Sequence, residues 1–258
     1  QVTSSPDAGA TAVPDRTPTA ISAQALTRTF GDKRAVDDLS LDIPAGSFFV
    51  ICGPNGAGKT TMLKMATGLL RPTSGSIAVD GIDVWSDPVA AKRRFGFVPD
   101  NPRVFDRLNA PEVLEYIGAL RGMDPATVRE RSEQILDALD LQKDRGTIIA
   151  DYSLGMTKRI GLAAAMLHNP RVLILDEPFG SLDPVNTAVM EGLLKLHRKG
   201  GGTVVFSSHV MDVVERLCDQ IVIIDEGRVK AEGTVAEVSG GKRLQDAFVD
   251  TTDGELWL

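Results

Sequence analysis

Apolar and polar positions alternate from Ile21 to Ile43, with Leu39, Leu41 and Ile43 falling on one face. A period of two predicts strands with one buried and one wet side, so residues 21–43 read as a small antiparallel β-layer. Three later runs, Phe48 to Cys52, Val172 to Leu175 and Val204 to Phe206, are apolar without interruption, and each precedes a helical pattern. Strands covered on both faces in a parallel sheet read this way. Phe95 to Val98 adds a further short strand, and Ile221 to Ile224 leads through Asp225-Glu226-Gly227 into a hairpin partner.

The period changes to that of a helix between about Asn109 and Leu139. Asn109 and Glu112 stand in capping-box spacing before a stripe of Val113, Leu114, Ile117 and Leu120. A second helix opens at Asp124-Pro125 and places Val128, Ser132, Ile135, Leu136 and Leu139 on one side. This insertion, about residues 100–168, predicts a separate helical lobe within one α/β domain spanning residues 21–238. Residues 1–20 are rich in Ser, Thr, Pro and Ala without apolar periodicity, which predicts a disordered lead-in, and residues 239–258 form a short extension. The absence of an initiating Met reads as a trimmed or partial chain.

Charge and composition narrow the function. Lys and Arg number 28 against 35 Asp and Glu, a net charge of −7, so there is no general attraction to nucleic-acid backbones or anionic lipid heads. The two cysteines, Cys52 and Cys218, sit far apart in apolar stretches and read as small core residues in a reducing compartment. The longest apolar runs are strand-sized and too short to cross a bilayer.

The chemistry concentrates after the first buried strand. Gly53-Pro54-Asn55-Gly56-Ala57-Gly58-Lys59-Thr60 fits G-x-x-x-x-G-K-[ST] between a strand and a helix, the context that this motif requires. Glycines let several backbone N–H groups converge on phosphate oxygens at a helix start, Lys59 brings charge to the outer phosphates, and Thr60 offers a hydroxyl to magnesium. The bland alternative is a Gly-rich turn. A second buried strand ends in Asp176-Glu177, where Asp176 can hold the magnesium shell and Glu177 can polarise an attacking water. The competing reading is that both carboxylates cap the next helix.

With these motifs in order, the chain from Ile21 to Glu237 resembles the nucleotide-binding subunits of ABC transporters. Tyr152-Ser153-Leu154-Gly155-Met156 resembles the family's LSGGQ signature, keeping the serine and second glycine but carrying Leu154 and Met156 in place of the first glycine and the glutamine. Gly180-Ser181-Leu182-Asp183 resembles the D-loop, and His209 the switch histidine that senses the terminal phosphate. Phe30, with Val36 nearby, stands where the family places an aromatic under adenine, and Thr61 belongs with the phosphate loop. A plain helix cap at Ser153, a capping Asp183 and a core Phe30 are the corresponding structural readings.

The resemblance implies a P-loop NTPase core with an antiparallel β-layer and an inserted helical subdomain, binding ATP and Mg²⁺. Its expected catalytic residues are Glu177, His209 and Lys59. ATP would contact Phe30, Val36, residues Gly53 through Thr61, Ser153, Gly155, Met156 and Asp183, and the metal Thr60, Asp176 and Asp100. Asp100 enters because Phe97-Val98-Pro99-Asp100-Asn101 puts an aspartate where the family has its Q-loop glutamine. The Ser-Leu-Gly-Met signature and the Pro-Asp pair resemble a bacterial exporter group for drugs, lipids or polysaccharides.

The family further implies integral-membrane permease partners, a second ATP-binding subunit paired head to tail as a homodimer, no nucleic-acid partner, and a cytoplasmic place on the inner face of the cell membrane. Two other classes stay open: an ABC-type ATPase regulating a non-transport process, and a module that holds ATP without hydrolysing it. ABC-type ATPases that act on DNA or ribosomes usually carry two cassettes, a long coiled coil or zinc cysteines, and this chain has none of them.

Overall fold

The alternating segment becomes two twelve-residue strands, β1 (Thr19–Phe30) and β2 (Lys33–Pro44), paired antiparallel. Leu39, Leu41 and Ile43 are buried on the inner face of this layer. The computed structural model describes residues 18–252, and Thr19 and Ala20 already lie in β1, so the β-layer starts two residues before the expected boundary. Residues 1–17 of the expected lead-in, and residues 253–258 of the extension, lie outside the described residues. After the central strand β3 (Phe48–Cys52) and helix α1 (Lys59–Ala66), strands β4 (Ser74–Val79) and β5 (Ile82–Asp83) return to complete a sheet of order β2-β1-β4-β5.

A second sheet holds the continuous apolar runs. Helix α2 (Pro88–Arg94) feeds β6 (Phe95–Val98), and the helical insertion follows as α3 (Ala110–Leu120), α4 (Pro125–Ala138) and α5 (Leu154–Met166). The chain then alternates β7 (Val172–Leu175), α6 (Pro184–Lys199), β8 (Thr203–Ser207), α7 (Met211–Leu217) and the hairpin β9 (Gln220–Asp225) and β10 (Arg228–Thr234). Helices α8 (Val235–Ser239) and α9 (Leu244–Thr251) close the described chain. The strand order is β10-β9-β3-β8-β7-β6, parallel except for the β9–β10 hairpin.

Every residue of β3, β7 and β8 is buried, as strands packed on both faces must be. At about 1.5–3 kcal/mol for each fully buried large apolar side chain, these strands are the main source of cohesion. Phe48, Val50, Leu173 and Leu175 face one core, shared with the helical insertion, while Phe49, Ile51, Val172 and Ile174 face a second, shared with the β-layer. Cys52 lies in the first core, where burial pushes its thiol pKa up to about 12 and keeps it inert.

The insertion follows its capping signals. Asn109 and Glu112 form a reciprocal capping box at α3, and Asp124 accepts a bond from the Thr127 N–H at α4. Val128, Ser132, Ile135, Leu136 and Leu139 are all buried. Leu120 departs from the expected stripe and is 69% exposed. Gly118 takes its place, because the Val128 side chain packs where a Cβ at residue 118 would stand (2.4 Å to Cγ2), and Leu120 is left at the edge of the last turn. Arg131 of α4 donates to the Met166 and Leu167 carbonyls at the end of α5, where a helix terminus favours a cation.

The carboxyl ends of β3, β8, β7 and β6 are neighbours in this order. They deliver the Gly53 loop, Ser207 to His209, Asp176-Glu177 and Asp100 to one edge of the sheet. Ligands of open parallel sheets bind in the crevice outside such strand ends.

Candidate active site

The loop after β3 has the tight approach that its glycines permit. A Cβ on residue 53 would lie 2.1 Å from the Ile224 carbonyl oxygen, and one on residue 58 would lie 2.4 Å from that of Ala35. Gly58 also holds φ at +108° at the N-cap of α1, a backbone that other residues rarely adopt. The Gly227 N–H donates to the Ala57 carbonyl (2.9 Å), so the β9–β10 turn braces the loop from outside. Helix α1 therefore starts with its free N–H groups facing the cleft, the positive end of a peptide dipole array.

Lys59 is 7% exposed, and its Nζ donates to the carbonyls of Gly53 (2.6 Å) and Pro54 (3.1 Å). Burial pulls its pKa below the ordinary lysine value, and the nearby charge of Glu177, 4.0 Å away, opposes that. Across the cleft, Thr60 Oγ1 donates to Asp176 Oδ1 (3.1 Å), which also accepts from Ser207 Oγ (2.7 Å). The Glu177 N–H in turn donates to that same Ser207 oxygen (2.9 Å). Ser207, two residues before His209, thus fixes both carboxylate-bearing residues, a role that sequence reasoning missed. A polar residue ending an otherwise apolar buried strand was the available signal.

Glu177 stands between two nitrogen groups, Lys59 Nζ and His209 Nδ1, the latter 2.9 Å from Oε2. Its backbone has φ +45°, unusual for a residue with a side chain and costing of order 1–3 kcal/mol. The surrounding bonds hold this conformation. The carboxylate is consequently aimed into a cleft of about 420 Å³ lined by Phe30, Lys33, Ala35, Pro54, Asn55, Gly56, Gly58, Lys59, Thr60, Thr61, Asp100 and Glu177.

Several expected ligands take other positions. Val36 is fully buried beneath Gly58, its Cγ2 standing 3.3 Å from where a Cβ on residue 58 would be, so Ala35 and Lys33 line the cleft instead. Period two explains this, since Val36 points into the layer's core and its neighbours point outward. Phe30 is half exposed at the cleft, with the Arg28 guanidinium 4.6 Å over its ring. Asp100 lines the cleft too, but its carboxylate pairs with Lys158 Nζ (3.5 Å) instead of Thr60 or Asp176, which differs from the metal-ligand expectation.

Ser153, Gly155 and Met156 do not line this cleft. Ser153 caps α5 and accepts from the Met156 N–H (3.3 Å), and Gly155 is buried against Asn186, whose side chain would stand 2.5 Å from a Cβ there. Met156 is half-buried against the helical core. Asp183 caps α6, accepting from the N–H groups of Val185 and Asn186 (2.9 Å each), and those bonds to Asn186 lower its carboxyl pKa. One group of site residues therefore meets in a single cleft, and the signature and Asp183 stand apart from it.

A phosphate-cradling loop and buried lysine after β3, with paired carboxylates after β7 and only β8 between the two strands, can bind a nucleoside triphosphate and direct water at it. The ABC transporter family pattern matches residues 36–180, just over half of the chain and most of this cleft. The chain belongs to the ABC transporter family. It is an ATP-binding, ATP-hydrolysing subunit of that family, built on its α/β fold.

Relatives of this ABC ATPase include a daunorubicin/doxorubicin resistance ATP-binding protein of Streptomyces peucetius, 37% identical over 85% of this chain. The chain spans 66% of that relative's length, just under two thirds. A bacitracin transport ATP-binding protein of Enterococcus faecalis is 33% identical, covering 92% of this chain and 76% of its own. An ABC transporter ATP-binding protein of Bacillus subtilis, NatA, is 33% identical, with coverage of 85% and 92%. Among solved structures, an ATP-binding subunit of an ABC transporter superimposes with a TM-score of 0.84 at 27% identity, over 90% of this chain and 99% of that one. A dimeric cassette in a post-hydrolysis state with ADP and Pi gives 0.76 at 26% identity, over 83% and 98%.

Proposed function

We propose that this ABC ATPase drives export of drug-like or peptide antibiotics through separate membrane subunits, closing as a head-to-tail homodimer on ATP. The observation that carries the reading is the separation of Ser153, Gly155 and Met156 from the cleft that holds Lys59, Thr60 and Glu177. A chain with one phosphate loop and one detached signature needs a second ATP-binding subunit to bring the two together, in this reading another copy of itself. Similarity to a daunorubicin/doxorubicin resistance protein and a bacitracin transport protein supports the export direction and the cargo class. No helix among the described residues is long and apolar enough to cross a membrane, so the pore belongs to a partner in this reading. The ATPase would sit at the inner face of the cell membrane through that permease.

Within the cleft, Lys59 would bind the outer phosphates and the loop N–H groups would orient the chain of phosphates. Phe30, with Arg28 over one face of its ring, would offer the other to the base. Thr60 and Asp176 would hold Mg²⁺, and their 3.1 Å approach suits an ion that takes only one or two protein ligands and fills its shell with water and phosphate. Magnesium there would draw charge off the phosphate oxygens. Glu177 would take the proton of the attacking water, held in line by His209. Ser153 and Gly155 of the second copy, with its Asp183, would close the site.

The test is affinity purification of the tagged chain from detergent-solubilised cells of its host. Recovery of a polytopic permease with ATP-dependent antibiotic efflux in vesicles is the expected result. A chain that binds no integral-membrane protein and instead changes a cytoplasmic process would transfer the assignment to a regulatory ATPase.

Asp100 gives a narrower prediction, because its carboxylate pairs with Lys158 and not with the proposed magnesium ligands. Asp100→Ala should leave the magnesium concentration for half-maximal ATPase rate unchanged at saturating ATP. Parallel magnesium titrations of the two proteins check this. A several-fold higher requirement in the variant would return Asp100 to the metal shell.

A further inference from the structure

Lys158 of α5 is 3% exposed, yet it belongs to neither the phosphate loop nor the cleft lining. A buried ammonium needs partners for its three N–H bonds. Its Nζ donates to the Glu177 carbonyl (2.8 Å) and the Gly180 carbonyl (3.1 Å), and meets Asp100 Oδ1 at 3.5 Å. The two carbonyls bracket the turn from Glu177 to Gly180, in which the Gly180 N–H also donates back to the Glu177 carbonyl (3.2 Å). Glu177 at φ +45° opens this turn and Ser181 at φ +59° follows it, both with left-handed backbone. Such conformations persist only where their surroundings over-determine them.

We propose that Lys158 is a positioning residue for hydrolysis: it pins the Glu177–Gly180 turn and thereby fixes the aim of the Glu177 carboxylate. The proposal rests on Glu177 as the base. The same helix carries Gly155, packed against Asn186, and Asn186 bonds to Asp183. Helix α5 therefore grips the segment after β7 at both ends, by charge at Glu177 and Gly180 and by close packing near Asp183. A shift of α5 would be transmitted to the carboxylate through Lys158 with no change in the phosphate loop. Asp100, 64% exposed at its side chain, supplies a counter-charge from the end of β6 and tunes this grip without being essential to it.

The experiment is a cycle of single-turnover hydrolysis on the full chain, with the protein in excess over Mg-ATP and above its Kd, comparing the parent, Lys158→Met, Glu177→Gln and the double variant. Nucleotide Kd is measured beside it by calorimetry with a non-hydrolysable ATP analogue. Methionine keeps the length and bulk of the lysine but neither donates nor carries charge. Lys158→Met should slow hydrolysis about tenfold or more, since small misplacements of a reacting group carry costs of this size, while Kd changes by less than about threefold. In the Glu177→Gln background the same change should have almost no further effect, because residues acting through one group are not additive.

Should Lys158→Met fail to fold, Lys158→Gln carries the test with the same expectations, since its amide is too short to reach both carbonyls and Asp100. A parental rate, an equal slowing in the Glu177→Gln background, or a lost analogue affinity would each overturn the positioning role. If Glu177→Gln alone hydrolyses ATP at the parental rate, the base assignment fails and the proposal with it, a result visible before Lys158 is varied.

Discussion

Glu177→Gln is expected to lower the rate of ATP hydrolysis by about 10²- to 10⁴-fold, the usual contribution of a positioned base, while Mg-ATP binding stays near that of the parent. The amide keeps the size and shape of the carboxylate but cannot accept a proton. Three contacts single out this residue: the Ser207 hydroxyl on its N–H, Lys59 at 4.0 Å from Oε1 and His209 at 2.9 Å from Oε2. The substitution leaves the first of these in place, so the backbone should keep its shape. With hydrolysis blocked, ATP should hold the proposed dimer closed, and size-exclusion chromatography with Mg-ATP should show a species of twice the monomer mass. Phosphate release at the parental rate would remove Glu177 from the chemistry and leave Asp176, the other carboxylate directly after β7, to consider.

The parts of this site legible in the sequence were those whose physics is local. Gly53 through Thr60 could be read because a glycine-rich turn, a lysine and a hydroxyl at fixed offsets follow one buried strand, and every element of that requirement lies within thirteen residues of chain. Asp176 and Glu177 were legible for a related reason, since two adjacent carboxylates at the end of a four-residue apolar strand call for a cation or a reaction. The capping box at Asn109 and Glu112 formed as written because a cap is decided by residues three apart.

What the sequence left out depends on contacts between distant segments. Lys158 reads as one more basic residue on an amphipathic helix, and only the packing of α5 against the turn after β7 buries it. Ser207 reads as part of a polar tripeptide until β8 lies beside β7 and sets its hydroxyl between Asp176 and Glu177. Val36 was placed with the base because it lies near Phe30 in sequence, whereas strand alternation turns it inward against Gly58. Asp100 shows the same limit in its charge: position suggested a metal ligand, and the ion pair with Lys158, on a helix some sixty residues later, could not be read from the sequence.

Lys59→Ala should weaken ATP binding by about tenfold to more than 100-fold, because a hydrogen bond to a charged group contributes about 1.5–3 kcal/mol and each 1.4 kcal/mol is a factor of ten. Alanine also removes the tie from Nζ to the Gly53 and Pro54 carbonyls, so a loss of affinity could come from a slackened loop as well as from a lost cation. Lys59→Met lacks the same donors but restores the bulk of the side chain in this 7% exposed position, so it separates lost packing in the loop from the loss of the charged donor. If the cation is what binds phosphate, Lys59→Met should lose affinity for ATP and ADP almost as fully as Lys59→Ala while melting closer to the parent. Calorimetric titration with Mg-ATP and thermal unfolding of both variants give the comparison. An Mg-ATP affinity near the parent's in Lys59→Met, with only a lowered melting temperature in Lys59→Ala, would make Lys59 a strut of its own loop and move the binding charge to the N–H groups of α1.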